Sequence, residues 1–335
     1  MKFTIKQIAA QAGVSKATVD RALHGRGAVH ARTETRIKQA IRDLELQERT
    51  SLASGRTIPL DVILHTPERF SKLVCDALID EMSHFVSFQL RLRFHCVETI
   101  NTEEMRKLML KCANDSYGII LKAENNPLIG KTIEELQRHR VPVVTMVTDV
   151  ADSKRLRYVG MDNVVAGTTA AYLMSQWIKE AELDVAVVLS SQHFLGEAER
   201  VKGFCQGLKL MAPTLNPVWV SEGYGVDGMT FDVMMNTLNH YPNLKAVYCV
   251  GGGNAAILRA FKQAGRDIVS YIGHDVDEEN RFLLTDRKLN AVIQHDLRSD
   301  ARTVFQTLLT FHGFLPVIEP TDLFSKVNVV TPYNL

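Results

Sequence analysis

At 335 residues, of which 46% are hydrophobic and 23% charged, the chain is long enough for more than one hydrophobic core. A formal net charge of +1 by itself predicts nothing about polyanion partners, no stretch of about 18 apolar residues is present to span a bilayer, and MKFTIKQIAA lacks the apolar run of a signal peptide, so a cytoplasmic protein with no membrane partner is expected. Cys75, Cys96, Cys112, Cys205 and Cys249 show neither C-x-x-C nor a Cys/His metal spacing and read as reduced packing residues, with no metal and no cofactor expected.

The first elements are two short amphipathic segments. Ile5, Ile8, Ala9 and Ala12 fall at i, i+3, i+4 and i+7, one apolar stripe of a helix. Thr4 with Gln7 has the form of a capping box, which places the helix start at Ile5. Gly13 suits the left-handed residue that ends a helix, and Ser15 can cap a second one that buries Val19, Ala22 and Leu23. A third segment repeats the period with Ile37, Ala40, Ile41 and Leu44. The Ala12-Gly13-Val14 joint gives the spacing of a DNA-reading helix-turn-helix. Charge agrees: residues 1–58 hold 11 Lys or Arg against 5 Asp or Glu, while the other 277 hold 28 against 33. A basic module on a slightly acidic body suits contact with phosphate.

The run TIKQIAAQAGVSKATVDRAL resembles the N-terminus of LacI-family bacterial transcription regulators. Ala9, Ala12, Gly13, Val14, Ser15, Thr18, Val19, Arg21 and Leu23 stand where the family signature has them, and Thr33, Ile37, Ala40, Ile41 and Leu44 continue the match. Gln7, Asp20 and His24 depart from it. The resemblance implies that Lys16 and Ala17, at the start of the second helix, and Arg21 one turn later meet the DNA bases, with Thr4, Ser15, Thr18 and His24 completing the DNA-facing set. Arg21 is suited to the O6 and N7 of a guanine or to a phosphate. Asp20 either accepts from a cytosine amino group or pairs with a nearby Arg. The linker LQERTSLASGRTIP carries the family's S-L-x-x-G-R-T form, which implies Leu52 as a wedge for the minor groove. It is about three residues shorter than usual and lacks the P-N dipeptide. The expected domains are a helix-turn-helix head at 1–46, a hinge or linker at 47–58 and a two-lobed domain for effector binding and dimerisation at 59–335.

Beyond Pro59, apolar runs alternate with segments of helical period. The expected strands are 60–66, 89–97, 117–123, 142–147, 184–191, 245–250, 268–273 and 290–296, with helices such as 163–180 and 197–211 between them. This alternation reads as parallel α/β in two doubly wound parallel-sheet lobes. The patterns YGIIL, VPVV, YVGMDN-x-x-AG, IGHD, AVIQHD and VVTPYNL occur in family order, so residues 59–335 resemble the periplasmic-binding-protein type I effector domain that follows the head in LacI regulators, nearest to ribose-binding-protein-like members. That likeness puts the effector between the lobes, beside the carboxyl ends of strands.

A sugar presents a ring of hydroxyls, so its site needs Asp, Asn, Gln and Arg, with an aromatic for the apolar ring face. The resemblance implies Asp275, Gln294, Arg200 and Asp162 as polar contacts, Thr148 and Asp149 as the pair ending the strand PVVTMV, and Asn254 after Gly251-Gly252-Gly253. Phe70 and Tyr224 are the stacking candidates by position. The lesser alternative for Asp275 and Asp162 is a helix cap and for Arg200 a surface ion pair, while for both aromatics packing stands level with stacking. The glycine turn before Asn254 could cradle a phosphate, yet it fits neither G-x-G-x-x-G nor the P-loop, and no catalytic constellation declares itself. The expectation is a non-enzymatic, homodimeric transcription regulator, most often a repressor in this family. Its partners are double-stranded operator DNA and a small effector, a monosaccharide or polyol ahead of a nucleobase or another polar metabolite.

Overall fold

A computed structural model describes residues 3–27, 29–53, 56–178, 182–317 and 322–335, without the side chains of 46–53. Helix α1 (Ile5–Ala12) begins at a closed capping box: Gln7 N donates to Thr4 Oγ1 at 3.3 Å, and Thr4 N donates to Gln7 Oε1 at 2.9 Å. Gly13, at φ 62°, ends it in the left-handed region that favours glycine. Helix α2 (Lys16–His24) starts after Ser15, whose Oγ accepts from Thr18 N at 3.2 Å. Helix α3 (Ala31–Ala53) lies against both, and Ile8, Ala9, Ala12, Val19, Ile37 and Ala40 form their shared core. Arg36 Nη2 donates to the Ala12 carbonyl at 2.8 Å, fixing the end of α1 to α3.

The segment expected as a linker is helix as far as Ala53 and strand from Thr57. The Leu52 side chain lies outside the described residues. By internal contacts, residues 1–58 with 85–90 and 309–319 make one unit, and 59–84, 91–308 and 320–335 make the other.

The first lobe has a five-stranded sheet in the order β2-β1-β3-β4-β5. Its strands are β1 (Thr57–His65), β2 (Gln89–Val97), β3 (Ile119–Lys122), β4 (Val143–Met146) and β5 (Arg157–Val159). Helices α4 (Glu68–Glu81), α5 (Thr102–Cys112) and α6 (Pro127–Arg138) follow β1, β2 and β3. Along the parallel pairs β1–β3 and β3–β4, Asp61 faces Ile119 and Ile119 faces Val143. Helix α7 (Asn163–Trp177) leads into the second lobe, whose sheet runs β11-β10-β9-β8-β6-β7. Its strands are β6 (Leu183–Val188), β7 (Leu215–Val220), β8 (Leu244–Cys249), β9 (Ser270–His274), β10 (Ala291–Gln294) and β11 (Asn328–Val330). Between them come α8 (Leu195–Met211), α9 (Asp227–His240), α10 (Asn254–Gln263) and α11 (Glu278–Thr285). Among the described residues of this sheet, β11 alone pairs antiparallel.

Side-chain alternation divides the second core in two. Ala246, Tyr248, Val185 and Val187 pack on one face of the sheet, and Val247, Cys249, Ala186 and Val188 on the other, as the two-residue period of a strand requires. On the first face α7 and α8 touch backbone to backbone. A Cβ at Gly167 would stand 1.9 Å from the Arg200 carbonyl oxygen, and one at Gly203 would stand 2.1 Å from that of Val164. Helix α12 (Leu297–Phe311) leaves the second lobe and returns to the first, where Arg298 Nη2 donates to Asp80 Oδ2 at 2.8 Å and Arg302 pairs with Glu81. Among the described residues no helix is long and apolar enough to cross a membrane.

Candidate functional site

In the head, Lys16, Ala17, Arg21 and His24 are exposed along α2, Thr4 and Ser15 are exposed at the helix starts, and Thr18 is half-buried with its hydroxyl 2.8 Å from that of Ser15. A helix N-terminus offers free N–H groups and the positive end of its dipole, and it carries its first side chains forward into a groove. Arg21 Nε donates to the Ala17 carbonyl at 3.3 Å. Asp20, for which the sequence left two roles open, faces Arg26 Nη1 at 3.6 Å and His24 Nδ1 at 3.1 Å. Its negative charge is therefore offset within the head itself.

The second site is a partly open cavity between the two lobes. Carboxyl ends of strands supply much of its wall. Thr66 and Pro67 follow β1, Lys122 ends β3, Val147 and Thr148 follow β4, Val250 and Gly251 follow β8, His274 and Asp275 close β9, and His295 follows β10. Open α/β sheets hold their ligands at this edge. Val147 and Asp275, at φ 70° and 58°, sit in the left-handed region that non-glycine residues seldom occupy. Both line the cavity, where such strain tends to concentrate.

Asp275, His295 and Arg200 form a chain of charge-assisted contacts. His295 donates to Asp275 Oδ1 from its backbone N at 3.0 Å and stands with Nδ1 2.9 Å from the same oxygen. Arg200 Nη2 lies 3.0 Å from His295 Nε2. A guanidinium only donates, so Nε2 accepts and Nδ1 carries the proton that Asp275 receives. Burial alone would raise the Asp275 carboxyl, but His295 and its hydrogen bond, with His274 and Arg200, hold it at about 2. Burial keeps His295 below the ordinary imidazole range, with Arg200 and Lys122 adding to the shift. Arg200 also donates from Nε to Asn163 Oδ1 at 2.9 Å, so α7 aims it across the cavity wall.

Asn254 is fixed as firmly. Its Nδ2 donates to Asn280 Oδ1 at 2.7 Å, and its Oδ1 accepts from the Tyr271 hydroxyl at 2.9 Å. Thr148 Oγ1 accepts from Gly196 N at 2.9 Å, joining the first lobe to the start of α8. Phe70 contributes an aromatic ring 6.1 Å from that of His295. Of the effector-contact candidates, Phe70, Thr148, Arg200, Asn254 and Asp275 line the cavity.

Four other candidates do not line it. Asp149 Oδ1 accepts from Thr145 Oγ1 at 2.7 Å and from Val150 N at 2.8 Å, and its second oxygen pairs with Arg155, so its acceptors serve the turn after β4. Asp162 is the cap of α7, accepting from Val165 N at 3.0 Å. Tyr224 is held beside Glu222, whose hydrogen bond raises its phenol. Gln294 gives way to His295: successive strand residues face opposite ways, so a shift of one residue exchanges wall for back.

Sequence reasoning missed Lys122, Glu197, His274 and His295. Burial pushes the Lys122 ammonium down to about 8; its Nζ donates to the His65 carbonyl at 3.1 Å and lies 4.2 Å from the Phe194 ring centre. Burial raises the Glu197 carboxyl, which accepts from Ser190 N at 2.7 Å and Ser190 Oγ at 2.6 Å. A charged residue closing an otherwise apolar run, as Lys122 closes YGIILK, was the available signal. The glycine turn has a packing explanation: a Cβ at Gly251 would stand 1.9 Å from Ser190 N, and one at Gly252 would stand 2.9 Å from Arg69 Nη2.

A three-helix reading head joined to two parallel α/β lobes with a polar cleft defines a helix-turn-helix DNA-binding protein with a periplasmic-binding-protein-like domain. Residues 4–47 match the bacterial regulatory proteins of the lacI family, and residues 112–310 match the periplasmic binding protein domain. The chain belongs to the LacI family: it is a DNA-binding transcription regulator and not an enzyme. It is 26% identical over 294 residues to the HTH-type transcriptional regulator AglR of Rhizobium meliloti (strain 1021), covering 82% of this chain and 78% of that one. To the sucrose operon repressor of Klebsiella pneumoniae it is 29% identical over 245 residues, 66% of each. Among solved structures, the Caulobacter myo-inositol binding protein bound to myo-inositol superposes with a TM-score of 0.73 at 18% identity, covering 84% of this chain and 95% of the other.

Proposed function

We propose that this regulator is a repressor that binds a pseudo-palindromic operator as a homodimer. Its head would span 1–46, its hinge 47–58, and its effector-binding and dimerising body 59–335. Lys16, Ala17 and Arg21 read bases, with Thr4, Ser15, Thr18 and His24 along the same surface and Leu52 as the minor-groove wedge. The effector is a small polyhydroxylated molecule, a monosaccharide or polyol, and its binding in the cleft releases the DNA. The work is done in the cytoplasm.

One observation carries the effector reading. The cavity draws Phe70, Lys122 and Thr148 from the first lobe and Arg200, Asn254, Asp275 and His295 from the second. A ligand gripped from both sides binds the closed arrangement better than an open one, and that difference in affinity shifts the equilibrium. Linkage then carries the shift to DNA, by 5- to 150-fold for a coupling of about 1–3 kcal/mol.

Fluorescence anisotropy of the full chain on its operator duplex tests this, with a panel of sugars, polyols and nucleobases. The expected result is a loss of operator affinity of about tenfold or more with one sugar or polyol, absent in Asp275→Ala. Release by a nucleobase alone would transfer the site to the other effector class, and an unchanged response in Asp275→Ala would remove the cleft from the mechanism.

A further inference from the structure

We propose that the effector carries an acidic group, a carboxylate or phosphate ester on its hydroxylated skeleton, held by the Lys122 ammonium and the Nδ1 of His274. This rests on the cleft being the effector site.

Lys122 is 6% exposed, and its ammonium has three donors. Among the described residues its hydrogen-bond acceptor is the His65 carbonyl, and no carboxylate lies within ion-pair distance of it. The neighbouring acids are otherwise engaged. Both Glu197 oxygens accept from Ser190, and Asp275 receives two bonds from His295. Glu197 and Asp275 attract the ammonium through space, but neither accepts a hydrogen bond from it, and an oxyanion in the cleft would take the donors left over. Arg69 and Arg200 also line the cavity, where Arg69 faces Asp277, while Glu197 and Asp275 are bonded to Ser190 and His295.

His274 supplies an independent pointer. It is 6% exposed and lines the cavity, yet its Nδ1 is buried with no hydrogen-bond partner. Its Nε2 lies 2.9 Å from the hydroxyl of Tyr248, which is set in an apolar core. Tyr248 is satisfied by donating to Nε2, which places the imidazole proton on Nδ1. Burial keeps the ring neutral. The orphan atom is thus a covered N–H donor on a residue that lines the cavity, in need of an acceptor. Lys122 and His274 come from opposite lobes, so one oxyanion between them would also help hold the lobes closed.

Titration calorimetry of the full chain with matched compounds tests the proposal: glucose, galactose and ribose, their aldonic acids and their terminal phosphate esters. At least one acid should bind tenfold or more tightly than its neutral parent, and the arm that does so distinguishes carboxylate from phosphate. Lys122→Gln should bring the ratio of acid to parent affinity near one, while Lys122→Arg, which keeps the charge, should retain a preference. Neutral sugars binding as well as or better than their acids in the unmodified protein would overturn the acidic group and leave the cleft reading intact. If no compound binds, or if binding persists undiminished in Asp275→Ala, both fall.

Discussion

Arg69, one residue into α4 of the first lobe, donates from Nη2 to the carbonyl of Gly225 in the second at 2.7 Å. The same guanidinium faces Asp227 and Asp277 at 3.6 Å and Glu279 at 3.7 Å, so one cation serves three carboxylates across the cleft. Its side chain is 25% exposed, and each ion pair taken singly contributes little. Together with the carbonyl bond they favour the closed arrangement. Arg69→Ala should weaken effector binding several-fold, because the binding-competent state becomes less populated. Small-angle scattering of the unliganded variant should show a larger radius of gyration. An unchanged radius with unchanged affinity would mean that the contact follows closure without favouring it.

A separate prediction concerns the head. Arg21 projects from the exposed face of α2, one turn after Ala17. If it reads a guanine, Arg21→Ala should cost about 1–3 kcal/mol on the specific operator and much less on random DNA. The comparison is made by anisotropy at one fixed salt concentration, since phosphate contacts depend on salt. Equal losses on both duplexes would make Arg21 a phosphate contact.

Local chemistry made the head legible in the sequence. The Thr4–Gln7 box, the Ser15 cap and Gly13 act within four residues of themselves, so spacing alone places α1 and α2. Central strands were legible because strands buried on both faces read as continuous apolar runs, like the core of β1. Strands β5, β7 and β11 escaped notice. All three are edge strands: β5 and β11 are three residues long, and β7 carries Pro217 and an exposed Trp219. The cleft was half legible. Its motifs located the strand ends, but whether an Asp faces a ligand or caps a turn depends on which N–H groups converge on it, as at Asp149 and Asp162. Lys122 showed only as a charge closing an apolar run, and His274 not at all, because its partner Tyr248 comes from a different strand.

The helix contact that carries Arg200 gives a prediction about stability. Gly167 and Gly203 let α7 and α8 meet at distances no side chain permits, and both obstacles are backbone atoms that cannot rotate aside. Gly167→Ala should force the helices apart and destabilise the body by about 1–3 kcal/mol or more, against the small gain alanine normally brings to a helix. Effector affinity should fall as well, because Arg200 and its partner Asn163 lie on these two helices. Urea titration followed by circular dichroism measures the first effect. A stability equal to that of the unsubstituted chain would show that the pair can slide without loss.

Asp300, near the start of α12, sets an expectation for pH. It is 2% exposed, and its Oδ2 is buried without a hydrogen-bond partner. Burial pushes its carboxyl up to about 7, against Ser325, while Asp296 and Asp275 add to the rise. The unfolded chain loses this proton near 3.8 and the folded chain only near 7, so between those values the folded state binds more protons. Stability from this group is therefore present below about pH 4, declines as pH rises to about 7 and is level above that, a change on the order of 2–4 kcal/mol. Asp300→Asn, which removes the charge and keeps the shape, should raise the urea midpoint near pH 8 and leave it close to that of the unsubstituted chain near pH 4. A variant no more stable than the unsubstituted chain near pH 8 would mean that Asp300 is ionised and satisfied in the folded protein.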